Sequence, residues 1–137
     1  MDFDTKIAVV LRDDLAGWQR ANVTAFVVSG ISGTSPELVG EPYRDGSGNR
    51  YLPMFRQPVM VFEADGAGLR RACERAMERG VEQLAIYTKE LFATGHDEAN
   101  REAVAAVPTE DLDLVGLGLR ADRKVVDRVT DKLRPHP

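Results

Sequence analysis

Lys6-Ile7-Ala8-Val9-Val10-Leu11-Arg12-Asp13-Asp14-Leu15 runs through Gly17 into an apolar segment near the start of this chain. Near its end, Asp113-Leu114-Val115-Gly116-Leu117-Gly118-Leu119-Arg120 runs into Val125-Val126-Asp127-Arg128-Val129-Thr130-Asp131-Lys132-Leu133. The continuous apolar run over 6–11, with its β-branched residues, predicts a strand buried on both faces. The later stretch predicts a strand over 112–119 and a closing helix over 122–133. Pro58-Val59-Met60-Val61-Phe62-Glu63 and Leu84-Ala85-Ile86-Tyr87 read as two further strands. Between them, Asp65 opens a helix of about 67–79, which Gly80 closes at the position after the cap. From Leu15 to about Ile31 the chain is apolar nearly all round, predicting a helix deep against the sheet and capped by Asp13 or Asp14. Ser35 and Pro36 predict one more short helical turn. Asp45-Gly46-Ser47-Gly48-Asn49, flanked by Tyr43 and Tyr51, predicts a hairpin. The polar stretch from Thr88 to Pro108 is expected to be partly helical, around 97–107. Strands alternating with helices argue for one α/β domain over 1–137, with helices on both faces of a central sheet.

Composition narrows the function classes. The 137 residues suit one domain with one sizeable core. A net charge of −4 opposes a nucleic-acid-binding role, which ordinarily requires a basic face. Arg70, Arg71, Arg75 and Arg79 interleave with Glu74 and Glu78, and Arg120, Arg123, Lys124 and Arg128 with Asp122 and Asp127. Those spacings suit i,i+4 pairing on solvated helix faces. No apolar run is long enough to span a bilayer, and Met1-Asp2-Phe3-Asp4 is acidic, so a cytoplasmic protein is expected. Cys73, among Leu69, Ala72, Ala76 and Met77, reads as a small core residue.

Several apparent motifs lack their context. Gly116-Leu117-Gly118-Leu119-Arg120-Ala121 fits a dinucleotide pattern, yet only sixteen residues follow it, without a second strand or an acidic residue at the required distance. Close packing is the better reading of those glycines. Asn22-Val23-Thr24 is a formal glycosylation sequon inside an apolar helix. Two isolated histidines and one cysteine give no metal-ligand spacing, so neither a metal nor a cofactor is expected.

The two end blocks, with the strand–helix–strand from Pro58 to Tyr87, resemble the type-2 peptidyl-tRNA hydrolases. In that family a first strand ends in an Arg-x-Asp-Leu turn, and a last strand with spaced glycines feeds a helix reading roughly Ile-Asp-Lys-Val-Thr. The chain is more similar still to an uncharacterised bacterial domain family allied to them. Its marks here are Asp14-Leu15 with Trp18-Gln19, then Asn22-Val23-Thr24-Ala25-Phe26, then Thr94, Asp97, Asn100 and Arg101. The resemblance implies a three-layer α/β/α fold with a mixed central sheet of about four strands, and a homodimer. The hydrolases' functional residues are largely replaced. Their helix-start lysine falls near Gln19 or Arg20, their glutamine at Thr24, their histidine at Val27 and their aspartate near Lys89; only a threonine persists, near Thr94. An arginine can clamp an anion, but it stays protonated and transfers protons poorly.

A different polar set takes their place. Gln19, Asn22 and Ser29 share one face of the first helix, with Arg20 and Thr24 beside it. After the third strand come Thr88, Lys89, Thr94, His96, Asp97, Asn100 and Arg101. The related fold implies that both segments meet at the end of the sheet, where open α/β sheets commonly bind ligands. Asn22, Thr24, Thr94, His96 and Asp97 are the candidate catalytic residues; Gln19, Arg20, Lys89, Asn100 and Arg101 are the candidate substrate-binding ones. Structural roles compete: Asn22 and Thr24 could bond backbone groups, Trp18 could serve as core or lid, and Asp97 sits where a carboxylate favours a helix start. His96 could move a proton near neutrality or simply be an exposed loop residue, and His136 reads as part of a frayed end. Two functions are therefore expected. One is a small hydrolase-like enzyme for an acyl, peptidyl or aminoacyl compound; the other is a non-catalytic small-ligand-binding or regulatory domain. True peptidyl-tRNA hydrolysis, with tRNA as partner, is a minority reading.

Overall fold

Residues 5–12 form the middle of the sheet because nothing in Ile7 to Leu11 needs water on either face. In the computed structural model, which describes residues 3–137 and leaves Met1 and Asp2 of the acidic start outside them, these five side chains are buried. Strand β1 (Thr5–Arg12) is followed by helix α1 (Gly17–Thr34), a 3₁₀ turn (Pro36–Leu38) and a hairpin of β2 (Tyr43–Arg44) and β3 (Arg50–Tyr51). Then come β4 (Val59–Ala64), α2 (Gly66–Glu78), β5 (Gln83–Thr88), a 3₁₀ turn (Lys89–Ala93) and α3 (Asp97–Ala105). A 3₁₀ turn (Thr109–Asp111), β6 (Leu114–Asp122), α4 (Arg123–Val129) and β7 (Arg134–Pro135) complete the order.

The main sheet is mixed, in the order β5-β6-β1-β4-β7. Strand β1 pairs in parallel with β4 and antiparallel with β6, and β6 pairs antiparallel with β5. Consequently β1, β4 and β5 all point the same way, and their carboxyl ends share one rim. Helix α1 covers one face through Val23, Val27 and Ile31, while α2 and α4 cover the other through Leu69, Ala72, Cys73, Ala76, Val126 and Val129. Burial in that layer pushes the Cys73 thiol up from its ordinary pKa.

The structure corrects four expectations. The sheet has five strands rather than about four, because Glu63↔Arg134 and Phe62↔Pro135 pair at the outer edge of β4. Proline is tolerated there because an edge strand leaves one side of its backbone unpaired. Helix α1 is apolar all round yet buried on one stripe only; Trp18 is 64% and Phe26 52% exposed. Its first turn is held by Gln19, whose Oε1 accepts the Ala16 N–H at 2.9 Å, and not by Asp13 or Asp14. Asp14 instead meets Arg12 at 2.7 Å, and that hydrogen bond holds its carboxyl below the usual range. The closing helix ends at Val129, before the positive φ of Lys132.

The arginines of α2 do not lace their own helix. Arg70 donates to the carbonyls of Glu110 and Leu112, and Arg75 to that of Asp131, where the neighbouring turns end with free carbonyls. Among the described residues the one i,i+4 ion pair is Asp97–Arg101.

Candidate functional site

Trp18, Asn22 and Phe26 stand one helical step of four apart on α1, so they project along a single line. Opposite them the chain leaves β5 through a register shift between Tyr87 and Thr88, a bulge that re-aims the strand end. The 3₁₀ turn Lys89–Ala93 then brings Leu91 and Phe92 back toward α1, and Thr94 to Asn100 close the far side. Between these segments lies a hollow of about 340 Å³ beside the carboxyl end of β5.

One wall of this hollow is aromatic. Phe92 meets Trp18 edge-on at 5.6 Å between ring centroids and Tyr87 at 5.0 Å, while Phe26 meets Tyr87 edge-on at 5.8 Å. These contacts, two edge-to-face and one tilted, join the rings into one continuous surface. The other wall is polar, carrying Asn22, Thr94, His96, Asp97 and Asn100. The sequence reading placed those five among its candidate residues, and the fold brings them to one place.

Their hydrogen bonds differ in kind. The Thr94 hydroxyl lies against the Leu91 carbonyl at 3.0 Å and against the Asn100 side chain. His96 caps α3: its Nδ1 accepts the Ala99 N–H at 3.2 Å. Asp97 pairs with Arg101 on the solvated face of α3. By contrast, the Asn22 amide reaches only the Tyr87 hydroxyl, at 3.5 Å, the outer limit of a hydrogen bond. Burial raises the Tyr87 phenol from its ordinary pKa, with the Asn22 hydrogen bond partly opposing that shift. The hydroxyl therefore remains protonated across the physiological range and can donate to a guest.

The remaining candidates lie elsewhere. Arg20 points to the opposite side of α1, where its guanidinium donates to the Leu15 and Asp13 carbonyls, meets Glu63 at 3.4 Å and donates to His136 Nε2 at 2.9 Å. Thr24 lines that same side, its hydroxyl bonded to the Arg20 carbonyl at 2.8 Å. The two are thus separated from the aromatic hollow by the body of the helix, and Arg20 and Arg101 form no common clamp. Gln19 holds the helix start, Ser29 bonds the Phe26 carbonyl, and Lys89 is not among the residues that line the hollow. Arg101 lines an adjoining hollow. His136, expected to fray, donates its backbone N–H to the Val61 carbonyl at 2.9 Å.

Phe26, Tyr87, Leu91 and Phe92 are not among the residues the sequence offers as a site, and Trp18 is there a core or lid residue. The signals that could have found them are the 18–22–26 spacing and the family marks that contain Trp18 and Phe26. Among the described residues no three His, Cys, Asp or Glu side chains gather as metal ligands, and no helix is long and apolar enough to cross a membrane.

Mixed sheet, helices on both faces and a ligand-sized hollow at the strand ends define an α/β protein with its candidate site beside the first helix. The chain belongs to the family described as "Protein of unknown function (DUF2000)", whose model matches residues 5–137. A solved structure, that of the protein of unknown function Atu0240 from Agrobacterium tumefaciens strain C58, is 49% identical to it. The match covers 99% of this chain and 100% of the other, with a TM-score of 0.96. A search of the curated proteins matched none of them.

Proposed function

We propose that the chain is a non-catalytic binding domain for a small acyl or peptidyl compound, held at the hollow between Trp18 and Asn100. The observation that carries this reading is the division of labour among the polar groups. His96 and Asp97, the groups a proton-transfer mechanism would need, are engaged in capping α3 and in pairing with Arg101, and the Thr94 hydroxyl braces the loop before them. Asn22 and the Tyr87 hydroxyl face the cavity with one long contact between them. An amide and a phenol beside an aromatic wall can recognise a carbonyl–amide unit by donating to its oxygen and accepting from its N–H. They supply no nucleophile paired with a base.

Descent from the hydrolase-like ancestor fits this proposal. The end blocks of sequence and the mixed sheet flanked by helices support it, and the replacement of the ancestral lysine, histidine and aspartate fits a fold that kept a cleft and lost a reaction. We place the protein in the cytoplasm and read it as a single domain on its hydropathy and length, and as a homodimer on that resemblance.

Trp18 is the one tryptophan of the chain and lines the hollow, so its fluorescence reports occupancy. Titration with N-acetyl-leucinamide should change Trp18 emission saturably, and the compound should be recovered intact. Turnover of that amide, or of a peptidyl-tRNA mimic, would instead establish the enzyme reading. An emission unchanged up to millimolar ligand would remove the site.

A further inference from the structure

A second hollow, of about 390 Å³, adjoins the first beside β5 and shares Phe26, Tyr87, Leu91, Asp97 and Asn100 with it. Beyond those shared residues its lining is Val27, Ala85, Ile86, Val104 and Ala105, with Arg101 at the side. The space exists because β5 is the last strand of the sheet, so no neighbour fills the volume between its edge and α3. The two chambers differ in chemistry: the first offers hydrogen bonds from Asn22 and Tyr87, whereas the second adds the aliphatic Val27, Ala85, Ile86, Val104 and Ala105 to the walls the two share. Arg101, the one cation at its wall, is already paired with Asp97.

Resting on the binding reading above, we propose that the site takes an amphiphilic ligand. Its carbonyl–amide head lies in the first chamber and an uncharged apolar tail lies along Ala85, Ile86 and Val104 in the second. The shared residues set the two hollows side by side, so that one molecule can lie across both, and burial of its methylenes against aliphatic side chains supplies affinity that the two hydrogen bonds of the head do not. The tail can be the hydrocarbon of an acyl chain or the side chains of an apolar peptide, two sources with the same chemistry.

Calorimetric titration of a series of N-acylglycinamides, from acetyl through butanoyl to hexanoyl, tests the proposal. Kd should tighten by about two- to fourfold for each added methylene, the increment set by burying one CH₂. Ala105→Trp, which fills the second chamber from the exposed side of α3, should flatten the series and leave the acetyl compound unchanged. Circular dichroism of that variant checks its fold. N-acetyl-leucyl-leucinamide forms a parallel arm: tightening with this peptide but not with the acyl series assigns the tail to peptide side chains, and the reverse assigns it to a hydrocarbon. Binding of the acetyl compound with no gain along either arm overturns the second chamber and leaves the first intact, as does tightening that survives Ala105→Trp. Absence of binding by every compound overturns both.

Discussion

Asn22 and Asp45 show how a single side chain divides between recognition and construction. Asn22 hydrogen-bonds only weakly within the protein, so replacing it should affect ligand more than fold. Asn22→Ala is expected to weaken N-acetyl-leucinamide about three- to tenfold, the worth of one hydrogen bond, with the melting temperature nearly unchanged. Calorimetry beside a thermal melt checks this. Asp45 is the opposite case: it accepts from the Tyr51 hydroxyl at 2.8 Å, the Asn49 amide at 3.1 Å and the backbone N–H groups of Ser47 and Asn49. The Tyr51 hydrogen bond first, then those from Asn49, push its pKa down to about 2. A depressed carboxylate lends stability that is complete above its ordinary pKa and is lost as pH falls toward the depressed one. The 45–49 turn should therefore keep its order to about pH 4 and lose it between there and about 2, as read from the Ser47 and Asn49 amide resonances. Tyr51→Phe should move that transition upward. The turn was legible because Asp, Gly and Asn specify it locally; the orientation of Arg20 was not, since its partners Glu63 and His136 lie far along the chain.

At the scale of elements, the Gly116-Leu117-Gly118 stretch acts through its missing side chains. A Cβ on Gly116 would stand 2.4 Å from Val23 Cγ1, and one on Gly118 would stand 2.9 Å from Val27. These glycines let α1 settle onto β6, which in turn aims the 18–22–26 line at the hollow. Gly116→Ala should cost about 1–3 kcal/mol by overpacking, seen in urea denaturation. Gly17→Ala, with open space around it, should be neutral or stabilising by up to about 1 kcal/mol. Close packing was readable from the absence of a following βαβ unit, and the geometry agrees. The depth of α1 was misread because apolarity all round usually means burial. Here the outer stripe keeps Trp18 and Phe26 for the hollow, so a helix that broke the amphipathic pattern marked the site.

Across the whole molecule, the fold was legible wherever the hydrophobic pattern was strong: the four long strands and α2 stand where it put them. The fifth strand was hidden because two residues ending in proline carry no strand signal, and only the far-off edge of β4 defines it. That terminal strap has consequences. Arg134 meets Glu63 at 3.1 Å, and Glu63, with its side chain only 12% exposed, also faces Arg20. Deleting residues 134–137 should lower stability by about 1–3 kcal/mol, because it reopens the β4 edge and removes one partner of a shielded carboxylate. Thermal and urea unfolding measure the loss. The central claim, that Asn22 on α1 and the Thr94–Asn100 segment form one receptor for an amide-bearing guest, is tested most directly by amide chemical shifts of isotope-labelled protein during titration with N-acetyl-leucinamide. Saturable shifts confined to Trp18, Asn22, Phe26, Tyr87, Thr88 and residues 91–100 are the predicted result. Shifts that centre on Arg20, Val61 and His136, or that are spread evenly over the surface, would contradict it.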